Sequence, residues 1–289
     1  FAGKRLVPIM TAVVAFIVGL AMPYIWQPVQ AGLSVLSGLA NGNNTNLSTF
    51  IFGVIERSLI PFGLHHIFYS PFWYQFGEYT NAAGQVIQGD NAIWFAMLKD
   101  GVKDFSVVDG YQNAAKFMTG KFPFMMFGLP AAALAMYHEA KPGNKKVAGG
   151  LLFSAALTAF LTGITEPIEF AFLFVAPVLY GIHCIFAGLS FMLMNMLDVR
   201  IGMTFSGGAI DFTAFGIVPG LGGFQTKWPL AIVVGLVLAV IYYFGFRFFI
   251  RKFNLMTPGR EEEVAESNEG KINLGQRELA VLVLNALGG

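Results

Sequence analysis

The chain has 289 residues, of which 55% are hydrophobic and only 12% charged, with a formal net charge of +1. Soluble domains carry about 25% charged residues, so this composition excludes an ordinary soluble fold, which would lack polar groups to cover its surface. A nucleic-acid partner, which leaves a basic footprint, is excluded on the same numbers. A single cysteine, Cys184, rules out an intrachain disulfide or a cysteine metal cluster and reads as a packing residue.

Charge is unevenly placed. No Asp, Glu, Lys or Arg occurs from Leu6 to Ile55, Val147 to Thr165, Phe170 to Leu197 or Trp228 to Phe246. A spanning helix needs roughly 20 mostly apolar residues, so the chain reads as an all-α polytopic membrane protein. It opens Phe-Ala-Gly-Lys-Arg with no signal peptide, and is expected to start inside a larger protein. The first span runs from about Leu6 to Val29, with Pro23 and Pro28 bending or ending it. Asn41 to Ser48 (NGNNTNLS) is a polar loop. A second apolar stretch, Thr49 to about Tyr74, is interrupted by Glu56, Arg57, Pro61, Gly63, His65 and His66.

Gly77 to Lys121 is too polar for a span and reads either as an extramembrane excursion or as short segments packed within the protein. Apolar character returns at Phe122 to Met136, followed by a basic connector, Lys141 to Lys146. A span then leads to about Gly163, a polar break covers Thr165 to Glu169, and a long apolar run continues to Leu197. Asp198 to Gln225 is glycine-rich, and Trp228 to about Phe249 forms the last span. At and after its end come Arg247, Arg251 and Lys252, then the hydrophilic stretch TPGREEEVAESNEGK, and a tail from Gln276 that regains helical character. The basic clusters place the end of the last span and the linker in the cytoplasm.

Ionisable groups within spans cost several kcal/mol, on the order of 2.5–3.5 by insertion scales, unless paired or wetted. Two places accept that cost. One is Glu56-Arg57 with Pro61, Gly63, His65 and His66. The other is Gly163 to Phe170 (GITEPIEF), where Gly163 and Pro167 break a helix between apolar flanks. Broken backbone at membrane depth is tolerated where it is buried in protein or lines a cavity, and transporters bind substrate at such breaks. A carboxylate there is an acceptor for hydroxyl groups, and Arg57 and the histidines supply donors. Glu56 and Arg57 also read as a stabilising pair, Glu169 as structural beside Glu166, His183 as a core histidine without polar company in its apolar run, and His138 as interfacial. Asp211 stays ambiguous. Nothing favours hydrolytic or metal chemistry: His65 and His66 are adjacent, unlike an i, i+4 metal pair, and no phosphate-loop or dinucleotide glycine pattern occurs.

GITEPIEF, IERSLIPFGLHH (55–66), GEYTNAAGQV (77–86), FGLPAAALAMYHEAKP (127–142) and TFSGGAIDF (204–212) together resemble the membrane subunit, enzyme IIC, of the glucose superfamily in the phosphoenolpyruvate-dependent phosphotransferase system. The likeness covers essentially the whole chain and is greatest to glucose permeases of Gram-positive bacteria, with N-acetylglucosamine and maltose permeases as alternatives. It implies the C-terminal part of an enzyme IIC fold: residues 1–40 as the last helix of a scaffold and dimerisation part, 41–256 as a sugar transport domain with broken helices and two re-entrant hairpins, and 257–289 as a cytoplasmic linker toward a IIB domain. It implies a multi-pass protein of the bacterial cell membrane, surrounded by lipid and homodimeric in full-length form. Its partners are the sugar and the IIA and IIB components, and it needs no cofactor or metal. The sugar ligands carried over are Arg57, His65, Thr165 and Glu166, with His66 a further candidate. The phosphoryl-donor cysteine motif of IIB is absent, so catalytic residues are expected elsewhere. The readings from other classes are a sugar sensor that transports nothing and an ion-coupled transporter.

Overall fold

The computed structural model describes residues 2–41, 45–105 and 114–261. The tail from Gln276, most of the linker 257–289 and part of the polar loop 41–48 lie outside the described residues. Twelve α-helical segments occur among the described residues: α1 (Ala2–Asn41), α2 (Thr45–Ser58), α3 (His65–Tyr74), α4 (Asp90–Lys99), α5 (Lys121–Pro123), α6 (Leu129–Glu139), α7 (Lys145–Thr162), α8 (Glu166–Leu173), α9 (Pro177–Met196), α10 (Ala209–Asp211), α11 (Val218–Leu221) and α12 (Trp228–Lys252). The strands are a short antiparallel pair, β1 (Glu78–Thr80) and β2 (Val86–Gln88), in the register Tyr79 to Ile87. The architecture is a helical membrane transport domain.

Among the described residues three helices are long and apolar enough to cross a bilayer: Leu6–Gly32 within α1, α9 and α12. The first span falls where the sequence put it, but of the two effects expected of its prolines, ending the helix does not occur. α1 does not end at Pro23 or Pro28 but continues to Asn41, since each proline removes only one rung of a long ladder. The apolar run from Phe170 to Leu197, whose helix count the sequence left open, is shared between two helices. α8 stops at Leu173, Ala176 leaves the helical region (φ −145°, ψ 63°), and Pro177 begins α9, as proline favours a first turn.

The packing centre is the crossing of α2 with α9. Here a Cβ on Gly53 would lie 2.9 Å from the Gly188 Cα, and one on Gly188 would lie 2.8 Å from the Phe50 carbonyl. Small residues let two backbones approach where lipid offers no hydrophobic drive for association. α12 packs against α6 and α9, and α6 pairs with α7. Over its described part the polar stretch 77–121 forms short segments packed against the rest of the protein. Ile93, Trp94, Met97 and Phe105 are fully buried, and the Asp90 carboxylate accepts hydrogen bonds from the Ala115 and Phe117 amides at 2.7 and 3.1 Å.

Candidate functional site

Three interruptions of helix meet at one place. α2 and α3 are separated by a 3₁₀ turn, Ile60–Phe62, which Gly63 closes at φ +67°. α7 ends at Gly163 in the left-handed region, φ +74°, the usual way for a glycine to stop a helix. Thr165 then precedes α8, whose first turn holds Pro167 and the carboxylates Glu166 and Glu169, a favourable end for negative charge. The third interruption is the loop 204–208, clamped on the second: the Ser206 hydroxyl donates to the Gly163 carbonyl at 2.7 Å. A Cβ on Gly163 would lie 2.7 Å from the amide nitrogens of Gly207 and Gly208. The ambiguous Asp211 shapes this loop, accepting from the Thr204 and Phe205 amides at 2.8 and 2.9 Å.

These breaks surround a pocket of about 190 Å³. All five residues singled out from the sequence line it: Arg57, His65, His66, Thr165 and Glu166. Arg57 and Thr165 are joined directly, Nη1 donating to Oγ1 at 3.2 Å. His65 Nε2 stands 3.8 Å from a Glu166 oxygen. The His65 and His66 rings lie 4.0 Å apart, and His66 Nδ1 meets the Tyr69 hydroxyl at 2.8 Å.

Beneath the pocket lies a buried charge quartet. Arg57 Nη1 pairs with Glu169 at 3.2 Å and Nη2 with Glu56 at 3.1 Å, while Lys121 Nζ reaches Glu56 at 2.6 Å. Two positive and two negative groups cancel, which is how charges survive inside apolar surroundings. The pairing expected of Glu56 with Arg57 is present. Glu169 also meets His183 Nε2 at 3.0 Å, and His183 Nδ1 meets the Tyr242 hydroxyl at 2.9 Å. His183 is a satisfied core histidine, but the polar company that its neighbours in sequence lack comes from α8 and α12. The Tyr180 hydroxyl closes the network on the Arg57 carbonyl. Glu166 stands outside the quartet, its side chain 38% exposed and turned to the pocket.

Several lining residues escaped the sequence reading. Lys121 is the chief one; besides pairing with Glu56 it sits 4.5 Å from the Trp73 ring and 4.6 Å from that of Tyr69. Its only signal was a charge set immediately before the apolar stretch 122–136. Tyr69 and Trp73 stack at 4.3 Å and form a wall. His138 is exposed and bonded to Tyr243, and Cys184 is a buried free thiol.

One inference about metal ligation also changes. Although adjacent, His65 and His66 open α3, where side chains lean back toward the helix start. With Glu166 they bring three ligand atoms within 4.8 Å of one another. Among the described residues this is the group whose spacing could hold a metal ion, though Arg57 and Lys121 line the same pocket and repel cations. At the far end of the bundle, beyond the apolar part of α6, Glu139 accepts from Arg251 and Arg247 at 2.8 and 2.6 Å. Those contacts, Arg251 foremost, hold its carboxyl below the ordinary range.

Apolar helices exposed along their length, with a small polar pocket enclosed by helix breaks, define an integral membrane transport protein. Residues 1–188 match the family model described as "Phosphotransferase system, EIIC". The chain belongs to that family: it is a sugar-translocating permease subunit of a phosphotransferase system, which implies a sugar substrate and IIA and IIB partner components.

Proposed function

We propose that the sugar is glucose and that it binds in the pocket between the three helix breaks, for delivery as glucose 6-phosphate. The observation that carries this reading is that Glu166 is the one carboxylate among the described residues that lines the pocket, and it stands outside the neutral quartet. A carboxylate accepts hydrogen bonds from sugar hydroxyls without first having to leave a partner. Arg57, His65, Thr165 and His66 supply donors, and the Tyr69–Trp73 wall supplies an apolar face, the mix expected of a small-molecule site. Residues 1–40 are read as the scaffold helix of a homodimer, 41–256 as the moving transport domain, and 257–289 as the cytoplasmic linker. The phosphoryl donor is a phosphocysteine of IIB; Cys184, buried within α9, is not suited to that task. Weaker binding of the sugar phosphate than of the sugar makes the cycle directional.

The test is phosphoenolpyruvate-dependent phosphorylation of radiolabelled glucose, N-acetylglucosamine and maltose by membranes holding the full-length protein and the general phosphotransferase proteins. Product from glucose that disappears in Glu166→Gln is expected. Product from another sugar would keep the mechanism and change the substrate. Binding without product or uptake would indicate a sensor, and uptake abolished by collapsing the proton gradient would indicate ion coupling.

A further inference from the structure

A second cavity lies away from the sugar pocket, between α6 and α7. It is a groove of about 700 Å³ whose walls are Pro130, Ala133 and Leu134 on one side and Leu152, Ala156 and Phe160 on the other. It has no convergent polar groups along its length. Its only charged lining residues are Lys145 and Lys146, side by side at one end. Neither has a carboxylate partner among the described residues, in contrast to Arg247 and Arg251 at the same end of the bundle, which share Glu139. Lys145 Nζ stands 5.1 Å from the Tyr137 ring, which holds the ammonium at the groove mouth.

The two lysines also begin α7, a helix of 18 residues with no side-chain cap on its first amides. Uncapped amides and the positive end of the helix dipole both favour an anion. From Lys146 to Phe160 the helix rises roughly 21 Å at 1.5 Å per residue, more than the roughly 15 Å depth of one hydrocarbon leaflet, half of a core about 30 Å thick. The outer face of α7 is apolar and exposed at Val147 and Leu151, and Phe153, which lines the groove, is exposed as well. A ligand complementary to this site has a negative head and long apolar tails.

We propose that the α6–α7 groove binds an anionic phospholipid, with its phosphate on Lys145, Lys146 and the first amides of α7, and its acyl chains along the groove. Because α7 ends at Gly163, next to Thr165 and Glu166, the lipid occupies the flank of the helix that carries the candidate sugar site at its other end. The proposal is independent of which sugar is carried.

The test uses the full-length protein, delipidated in detergent and reloaded with phosphatidylglycerol or phosphatidylcholine of identical chains, with retained lipid counted by native mass spectrometry. Phosphatidylglycerol should be retained in preference. Lys145→Gln with Lys146→Gln should weaken its retention roughly tenfold or more, from the loss of two ammonium groups near an anionic head, with melting temperature and sugar binding unchanged. Ala156→Trp, which fills the groove, should lower retention of both lipids. Equal retention of the two lipids, or no change in the double lysine variant, would overturn the proposal. So would displacement by water-soluble glycerol phosphate, which points to a free phosphate site, or photo-crosslinking from position 153 to a second copy rather than to lipid.

Discussion

Arg57 and Glu169, 112 positions apart in the chain, form an ion pair 3.2 Å long with both side chains buried. It joins the end of α2 to the first turn of α8 and so fixes how two of the three helix breaks sit against each other. A buried pair adds little stability over an apolar contact, but breaking one strands a charge.

Glu169→Gln is therefore expected to destabilise the protein by about 3–5 kcal/mol, the usual result of removing one partner of a buried pair. Thermal unfolding in detergent will measure it. A variant that melts like the parent would show that the quartet does not hold the breaks together.

Glu166→Gln should behave in the opposite way. Its carboxylate is partly exposed, and among the described residues its ion pair is the 3.8 Å approach to His65, so the melting temperature should stay close to that of the parent. Losing a hydrogen bond to a charged group costs about 1.5–3 kcal/mol, so equilibrium binding of the sugar should weaken roughly 10- to 100-fold.

Gly163→Ala places a side chain in a left-handed conformation, costing about 1–2 kcal/mol, and drives a methyl group into the Gly207–Gly208 backbone. Sugar binding should fall further than stability does, because the strain is released by moving Thr165 and Glu166. Comparing the dissociation constant with the melting temperature separates the two effects.

Tyr242→Phe removes the partner of His183 Nδ1 at a site with no water access. A loss of about 1–3 kcal/mol in stability is expected for the orphaned group, with the ranking of sugars unchanged. An altered ranking would draw His183 into the binding site.

Glu139 sets a pH dependence. Its folded-state carboxyl is held below the ordinary range by Arg251 and Arg247. The stability it contributes is thus complete above its unfolded value of about 4.3 and is lost as pH falls through the lower, folded one. Glu139→Gln should lower the melting temperature at pH 7, and the gap to the parent should narrow progressively as pH falls below about 4.3, the unfolded value. A gap that persists in acid would mean that packing rather than charge is responsible.

What the sequence determined by itself was everything local. Charge-free runs declared a membrane protein, and glycine, proline and charge interrupting the apolar stretches marked the breaks near Pro61 and Gly63 and at Gly163 and Pro167, because each acts on its own stretch of backbone. Arg57, the two histidines and a carboxylate were legible for the same reason, as polar groups set in apolar stretches, whereas Thr165 was singled out only by the resemblance to the enzyme IIC motifs. Tertiary structure alone decided which charges pair. Nothing in the periodicity of α2 or α8 encodes that Glu169 is consumed by Arg57 and His183 while Glu166 is left facing the pocket. Lys121 joined the site, and His183 gained its partners, only once α5, α9 and α12 had packed around the quartet. The division of the run 170–197 at Ala176 was hidden too, since an apolar stretch looks the same whether one helix or two will bury it. Local chemistry can be read along a chain, but the neutralisation of buried charge depends on residues far apart in it and is settled where they meet.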